Sequence, residues 1–401
     1  MINYAIAYIE EIERAKFYLR FTDIEKLFIT SNIIVFLYLK LKRKLVWYIR
    51  KSEYKENHIN INNDIYKTIE VKLKNISIEN AIELHNLIYN KLKNLHKKYK
   101  FKYIFLWNGC KIGDLACADF AKKYNITTFY FEVANIPGKL FVDTQGTNKN
   151  SSIYTHPEQL DFFHEENIHK YLKWKEEYLK TKFGNYVLPQ SKYANKLKRL
   201  ISPILNIIVI KLGIGIPNNV YFKNFKRIFF SNIKIKFSSN IDYKTEKYVF
   251  VPLQVSDDTQ VMINSDVGLK ELIDYSYKYA KENSMKLVIK PHPAEQDNSI
   301  LNYLYSINDT DTIVITNENT MKLINYSNYV ITINSTVGLE ALILDKPVKF
   351  LGYSFYSKFN KNQLGNYIIS FLKNIDYFSC LPIDIKLILE EVTNEKNSNF
   401  N

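Results

Sequence analysis

From Tyr248 to Leu351 the chain alternates short apolar runs with amphipathic stretches at a steady spacing. YVFVP (Tyr248–Pro252), KLVIK (Lys286–Lys290), TIVIT (Thr312–Thr316), YVITI (Tyr329–Ile333) and VKFL (Val348–Leu351) read as buried strands. Val267–Glu282, Asn298–Ile307, Thr320–Tyr326 and Thr336–Leu344, which lie between them, carry apolar residues at helical spacing. This alternation predicts a parallel, doubly wound sheet. Such sheets bind ligands beyond the carboxyl ends of their strands, so the residues just after each run are the first candidates for chemistry.

The earlier part of the chain is less regular. Residues 1–100 read mostly as helix and contain no glycine; the first is Gly109. Tyr103–Trp107 (YIFLW) and Thr127–Phe131 (TTFYF) read as strands, with a helix over Asp114–Tyr124 between them. A turn-rich loop follows from Glu132 to Asn148, then a polar helix over Asp161–Lys182. Residues 184–245 are punctuated by Gly184, Pro189, Pro203, Gly213 and Gly215 and read as a connection. The expected division is a first domain over 1–190, a connecting segment over 191–245, a second domain over 246–375, and a C-terminal helix and tail over 376–401.

Composition narrows the class. Of 401 residues, 46% are hydrophobic and 24% charged, which fits a globular chain and excludes a disordered, collagen-like or coiled-coil one. The net charge of +14 is uneven: residues 1–250 carry +19 and residues 251–401 carry −5. A basic half can meet nucleic acid, an anionic membrane surface or an anionic substrate. Lys40–Lys51 (KLKRKLVWYIRK) follows the apolar run Ile33–Leu39 and reads as an interfacial helix, or else as a solvated face in a Lys-rich chain. A second cluster comprises Lys192–Arg199, Lys211, Lys223, Lys226, Arg227, Lys234 and Lys236. No zinc-finger, RNA-recognition or helix-turn-helix pattern accompanies the charge, so nucleic acid is not an expected partner. Cys110, Cys117 and Cys380 make no disulfide framework, and Cys110 and Cys117 have no nearby His to complete a zinc site. The N-terminal MINYAIAYIEEIERAK lacks the basic-then-apolar order of a signal peptide. The nearest approach to a membrane span, Ile201–Ile216, is broken by Pro203, Lys211 and two glycines. The expected location is cytoplasmic.

Four segments carry candidate chemistry. Asn334-Ser335-Thr336 ends the YVITI strand and opens a helix, where a hydroxyl N-cap and free backbone N–H groups suit a phosphate or simply cap the turn. Lys290-Pro291-His292-Pro293, with Glu295 behind it, follows KLVIK; two prolines hold the imidazole on an extended loop beside a lysine. Gln254 and the adjacent carboxylates Asp257 and Asp258 follow YVFVP, placed either for nucleophilic or acid/base work or as a helix cap. In the basic half, Asn108 follows YIFLW, and Glu132, Asn135, Asp143 and Asn148 punctuate a polar loop that reads as a cleft wall.

These segments together resemble the bacterial capsule polysaccharide biosynthesis family, in particular the β-Kdo transferases that build the lipid-linked oligo-Kdo linker of group 2-type capsules. The resemblance rests on WNG at Trp107–Gly109, E-x-x-N-x-P-G and D-x-x-G-x-N within Glu132–Asn148, and P-x-Q-V-x-D-D-[ST]-Q at Pro252–Gln260. KPHPxE at Lys290–Glu295 and INSTVGLEAL…KPV…LG at Ile333–Gly352 complete it. Bacterial sialyltransferases share the His-Pro and Ser-Thr pair and also use a CMP-activated sugar. The resemblance departs at Thr259, where the family has Ser, and before residue 109, where it has a strand with a Gly-containing loop. It implies a GT-B-like α/β fold of two Rossmann-like domains facing a cleft, and transfer of Kdo from CMP-Kdo to a lipid or oligo-Kdo acceptor. It further implies that Lys290, His292, Glu295, Asn334, Ser335 and Thr336 hold the nucleotide. Asp258 and then Asp257 would act at the anomeric carbon in a retaining transfer, with Glu132 as acid/base toward the acceptor. Asn108, Asn135, Asp143, Asn148 and Gln254 would line the cleft, with no metal or cofactor. The partners implied are a CMP-sugar donor, an anionic glycolipid, the inner membrane face and other capsule assembly proteins. A transferase for another activated sugar (CMP-sialic acid or a UDP-sugar) and a non-catalytic assembly or export partner are the alternatives.

Overall fold

The computed structural model describes residues 4–54, 63–162, 166–184, 196–220, 235–237, 241–295, 298–307 and 309–398. The chain divides into two compact units, one built from residues 1–159, 188–230 and 370–401 and the other from 160–187 and 231–369.

The first unit contains a six-stranded sheet. Its strands are β1 (Tyr4–Tyr8), β3 (Glu25–Thr30), β4 (Leu45–Tyr48), β5 (Tyr103–Trp107), β6 (Thr127–Val133) and β7 (Leu140–Asp143); β2 (Phe21–Thr22) lies outside it. The order is β4-β3-β1-β5-β6-β7, parallel except for β7. The sheet therefore grows outward from β1 in both directions, which is the doubly wound pattern. One face packs on an aromatic layer that includes Phe17, Tyr18, Phe21, Phe105 and Phe131. The other packs on the long helix Ile78–Tyr99 through Leu84, Ile88 and Leu92.

Helices do make up much of the first 100 residues, but three strands of the sheet, β1, β3 and β4, lie among them and were not expected. Strands buried on both faces lose the alternation that marks a half-exposed strand, and short ones between helices blend into the helical pattern. The glycine-free start is explained by the β1 turn. Glu11, which precedes the Ile12–Leu19 helix, is extended at φ −129°, so no glycine-only conformation is needed. Lys40–Lys51 is likewise not one helix. The Ile33–Leu41 helix stops at Lys42, Arg43 turns the chain at φ 54°, and β4 runs along the sheet edge. Of the Ile201–Ile216 stretch, the part up to Lys211 lies in the Lys196–Lys211 helix, with Pro203 inside it. No described helix is long and apolar enough to cross a membrane.

The second unit contains a five-stranded, all-parallel sheet: β8 (Tyr248–Pro252), β9 (Lys286–Lys290), β10 (Ile313–Ile315), β11 (Tyr329–Thr332) and β12 (Val348–Phe350), in the order β10-β9-β8-β11-β12. All five fall on the expected runs. The order reverses at β8, so the crevice of this sheet lies between the carboxyl ends of β8 and β11. Two doubly wound units in one α/β chain are the components of a GT-B-like fold.

The units interleave in sequence, unlike the expected cuts at 190 and 375. The helix Glu166–Phe183 belongs to the second unit because Tyr178 Oη and Lys182 Nζ both donate to Glu340, at 3.3 and 2.7 Å, and Lys175 pairs with Asp345. The C-terminal helix, Ile385–Ser398, belongs to the first. Strand Ile383–Asp384 pairs with β2, and Arg20 donates to the carbonyls of Leu381, Asp376 and Tyr377.

Candidate functional site

At the crevice of the second sheet, Gln254 after β8 and Asn334 after β11 form a reciprocal amide pair. Gln254 Nε2 donates to Asn334 Oδ1 at 3.0 Å, and the Asn334 backbone N–H donates to Gln254 Oε1 at 3.2 Å. The Asn334 amide also donates to the carbonyls of Gln260 and Asn264, at 2.8 and 2.9 Å. Both side chains are buried. They clasp the β8 and β11 loops to each other. Ser335 follows directly and caps the helix Thr336–Ile343, its Oγ accepting from the Val337 N–H. The helix can sit this close to the sheet because of Gly338: a Cβ there would stand 2.4 Å from the Phe350 ring. A helix N-terminus with Ser335 and Thr336 at its mouth is thereby held at the sheet's carboxyl edge, where its dipole favours an anion.

The β9 loop comes to the same edge. His292 is exposed, and its Nδ1 accepts from the Ala294 N–H at 3.1 Å. That bond leaves the neutral ring's proton on Nε2, a donor suited to a phosphate oxygen. Partial burial holds the His292 pKa below its ordinary value, against the opposing pull of Asp258 and Glu295.

Three of the expected site residues make contacts within the fold. Lys290 Nζ donates to the Glu318 carbonyl and the Thr320 hydroxyl, at 2.8 and 2.9 Å, and so ties β9 to the next loop. Glu295 accepts from the Ser256 N–H and hydroxyl, at 2.7 and 3.1 Å, and joins the β8 and β9 loops. Of the acidic pair it is Asp258 that caps the Thr259–Ile263 helix, accepting from the Gln260 N–H at 2.8 Å, while Asp257 is exposed.

The first unit gathers its own set at the ends of β5 and β6. Asn108 and Gly109 both have positive φ, 50° and 74°, and turn the chain sharply after β5. The Thr147 hydroxyl donates to the Asn108 carbonyl, and Asn148 Nδ2 donates to Glu132 Oε2 at 3.2 Å. Glu132 is half-buried on β6. Asn135 is half-buried in the β6–β7 turn. Asp143 is not part of a wall: it is buried and accepts from Gln145 and from both the N–H and hydroxyl of Ser152, a loop-building role.

Sequence reasoning missed a charge cluster at the β1–β5 crevice of this sheet. Lys111 Nζ lies 3.2 Å from both Glu10 and Glu11. Glu70 accepts from the Ile112 N–H with both oxygens, and Asp114 accepts from the Lys111 N–H. Lys111 brings Glu11 down to about 2, while burial pushes Glu70 up to about 8 and Asp114 up to about 7. Against its own burial, Lys111 is held strongly protonated by these carboxylates. The only sequence signal was Glu10-Glu11 directly after YAIAY, which requires β1 to be read as a strand. Among the described residues no group of three or more His, Cys, Asp or Glu is placed to hold a metal ion. Half of the second basic cluster (Lys192, Lys223, Lys226, Arg227 and Lys234) lies outside the described residues.

Residues 103–359 match the family described as capsule polysaccharide biosynthesis protein. The chain belongs to this family. The matched span begins at β5 and runs through β12, so it contains both the Glu132 set and the second crevice. Protein FixF of Sinorhizobium fredii is 38% identical over 114 residues, 27% of this chain and 27% of that protein. The capsule polysaccharide export protein KpsS of Escherichia coli is 29% identical over 123 residues, 28% of this chain and 31% of that protein. The chain thus matches less than a third of the length of either. A solved structure of KpsC from Thermosulfurimonas dismutans, a beta Kdo 2,7 transferase, aligns over 98% of this chain and 99% of that one, with 13% identity and a TM-score of 0.47.

Proposed function

We propose that this capsule-family chain is a glycosyltransferase that takes Kdo from CMP-Kdo and adds it to a lipid-linked or oligo-Kdo acceptor during capsule linker synthesis. The observation that supports this reading is the Ser335–Thr336 helix mouth at the carboxyl end of β11, on the same sheet edge where the β8 and β9 loops, which carry Asp258 and His292, are tied together by Glu295 and Ser256. A CMP phosphate has the charge such a mouth favours, and neutral donors stabilise it as it leaves. In the transfer, a carboxylate of the Asp257–Asp258 pair attacks the anomeric carbon as the bond to the CMP phosphate breaks. The acceptor hydroxyl oxygen then displaces that carboxylate and gives its proton to a general base. Lys290, Glu295, Gln254 and Asn334 act as positioning residues that hold the three loops in register.

Asp258 has a capping role, so Asp257 and Asp258 share the candidacy for the nucleophile. Asp258→Asn keeps the cap and removes the charge. The proposal expects it to lose transfer while keeping CMP affinity; full turnover by both Asp258→Asn and Asp257→Asn would remove the pair from the mechanism. The engaged state of Lys290 and Glu295 favours a second reading, a non-catalytic partner in capsule assembly, for which CMP would not bind at all.

A further inference from the structure

We propose that the Ile33–Leu41 and Lys196–Lys211 helices of the first unit form a seat for an anionic lipid surface. The two helices pack against each other: Asn206 Oδ1 accepts from the Ile33 N–H at 3.2 Å, and Asn206 Nδ2 donates to the N-cap Asn32 at 3.1 Å. Each buries one side. Val35 and Leu39 face the core from the first helix, and Asn206 is buried on the second. Each then presents apolar residues to solvent. Leu37 and Leu41 are one helical turn apart, as are Ile204 and Ile208, and Leu212 continues the second stripe. Leu41 is 83% exposed and Leu212 67%. Single exposed leucines are ordinary on a protein surface, but here five apolar residues are exposed on two helices that pack together.

The surrounding charge says what covers this face. Residues 27–52 contain six Lys or Arg and no Asp or Glu. Lys40, Lys42, Arg43 and Lys44 are all exposed beside Leu41, and Lys211 is exposed beside Leu212. Apolar tips ringed by cations suit insertion among acyl chains under anionic headgroups. The same ring counts against a second copy of the chain, which would bring like charges together. The sequence expectation of one interfacial helix over Lys40–Lys51 gives way to a two-helix face whose charge sits on the turn after the first helix. This inference concerns a surface distinct from the proposed transfer site, and it does not depend on what the chain transfers.

The test is cosedimentation of the full chain with vesicles of phosphatidylcholine alone or mixed with phosphatidylglycerol, without sugar donor. The chain should bind the mixed vesicles well, neutral ones poorly, and lose affinity as salt rises. Leu41→Asp with Leu212→Asp should weaken binding at least tenfold, and Lys42→Ala with Arg43→Ala and Lys44→Ala by roughly fivefold or more, since each cation near the surface contributes. Leu387→Asp, on an exposed position of the C-terminal helix, should bind like the parent. Unchanged melting of the variants would separate loss of the seat from loss of the fold. Equal binding to neutral vesicles, parent-like binding by the Leu41/Leu212 variant, or a concentration-dependent dimer that this variant abolishes would overturn the proposal.

Discussion

Replacing Asn334 by Ala should cost the second unit about 3 kcal/mol. The side chain makes three hydrogen bonds, one from Gln254 and two to the Gln260 and Asn264 carbonyls, between 2.8 and 3.0 Å. Each contributes on the order of 1 kcal/mol net, and removing them leaves buried partners unmatched. For a unit of this size that is a fall in melting temperature of roughly 6–12 °C. Gln254→Ala removes two bonds, from its amide to Asn334 and from the Asn334 backbone to its carbonyl, for about 2 kcal/mol. One bond is common to both, so the double variant should lose about 4 kcal/mol rather than 5, a coupling of about 1 kcal/mol. Denaturant unfolding of the four proteins, with hydrogen exchange read over residues 248–352, measures this. A cost below about 1 kcal/mol for Asn334→Ala, or strict additivity, would refute the clasp as the element that holds the β8 and β11 loops.

Other outcomes follow from the same geometry. Gly338→Ala should destabilise by about 1–3 kcal/mol, because its Cβ would meet the Phe350 ring at 2.4 Å, and Phe350→Leu should restore much of the loss. Asp258→Ala should cost about 1 kcal/mol as a lost N-cap whereas Asp258→Asn costs little, by thermal melts. Glu70 and Asp114 have folded-state pKa values of about 8 and about 7, above those of the unfolded chain. The unfolded chain therefore gives up these protons first, so their contribution is whole below about pH 4 and fades as pH rises toward 8, by up to about 1.4 kcal/mol per unit for each group. Glu70→Gln, which keeps a carbonyl acceptor for Ile112, should flatten that slope in unfolding measured from pH 5 to 8; an unchanged slope would contradict it.

The second sheet was legible because its strands are uniform: five apolar runs separated by helices of ordinary length, each ending in a polar motif. The edge motifs were legible as a set, but their internal roles were not. Lys290, Glu295 and Asp258 are residue types that serve a ligand or a neighbouring loop equally well, and only partners such as Ser256, Thr320 and the Gln260 N–H decide between them. The first sheet was half legible. YIFLW and TTFYF announced themselves, but YAIAY and EKLFIT, buried on both faces between helices, carried no alternation. Missing β1 hid the Glu10–Glu11–Lys111 cluster, whose members are a hundred residues apart and meet only because β1 pairs with β5. The interleaving of the units was beyond the sequence for a similar reason: it rests on long-range pairs such as Lys182–Glu340 and Arg20–Leu381.

The measurement that tests the central claim most directly is a calorimetric titration of the full chain with CMP, set beside UMP and UDP and repeated with His292→Ala. The account expects CMP to bind more tightly than either uridine nucleotide, and expects affinity to fall about tenfold or more when the Nε2 donor is removed, as loss of one hydrogen bond to a charged group implies. No CMP binding, or binding unchanged by His292→Ala, would contradict it and place the nucleotide site away from the second crevice.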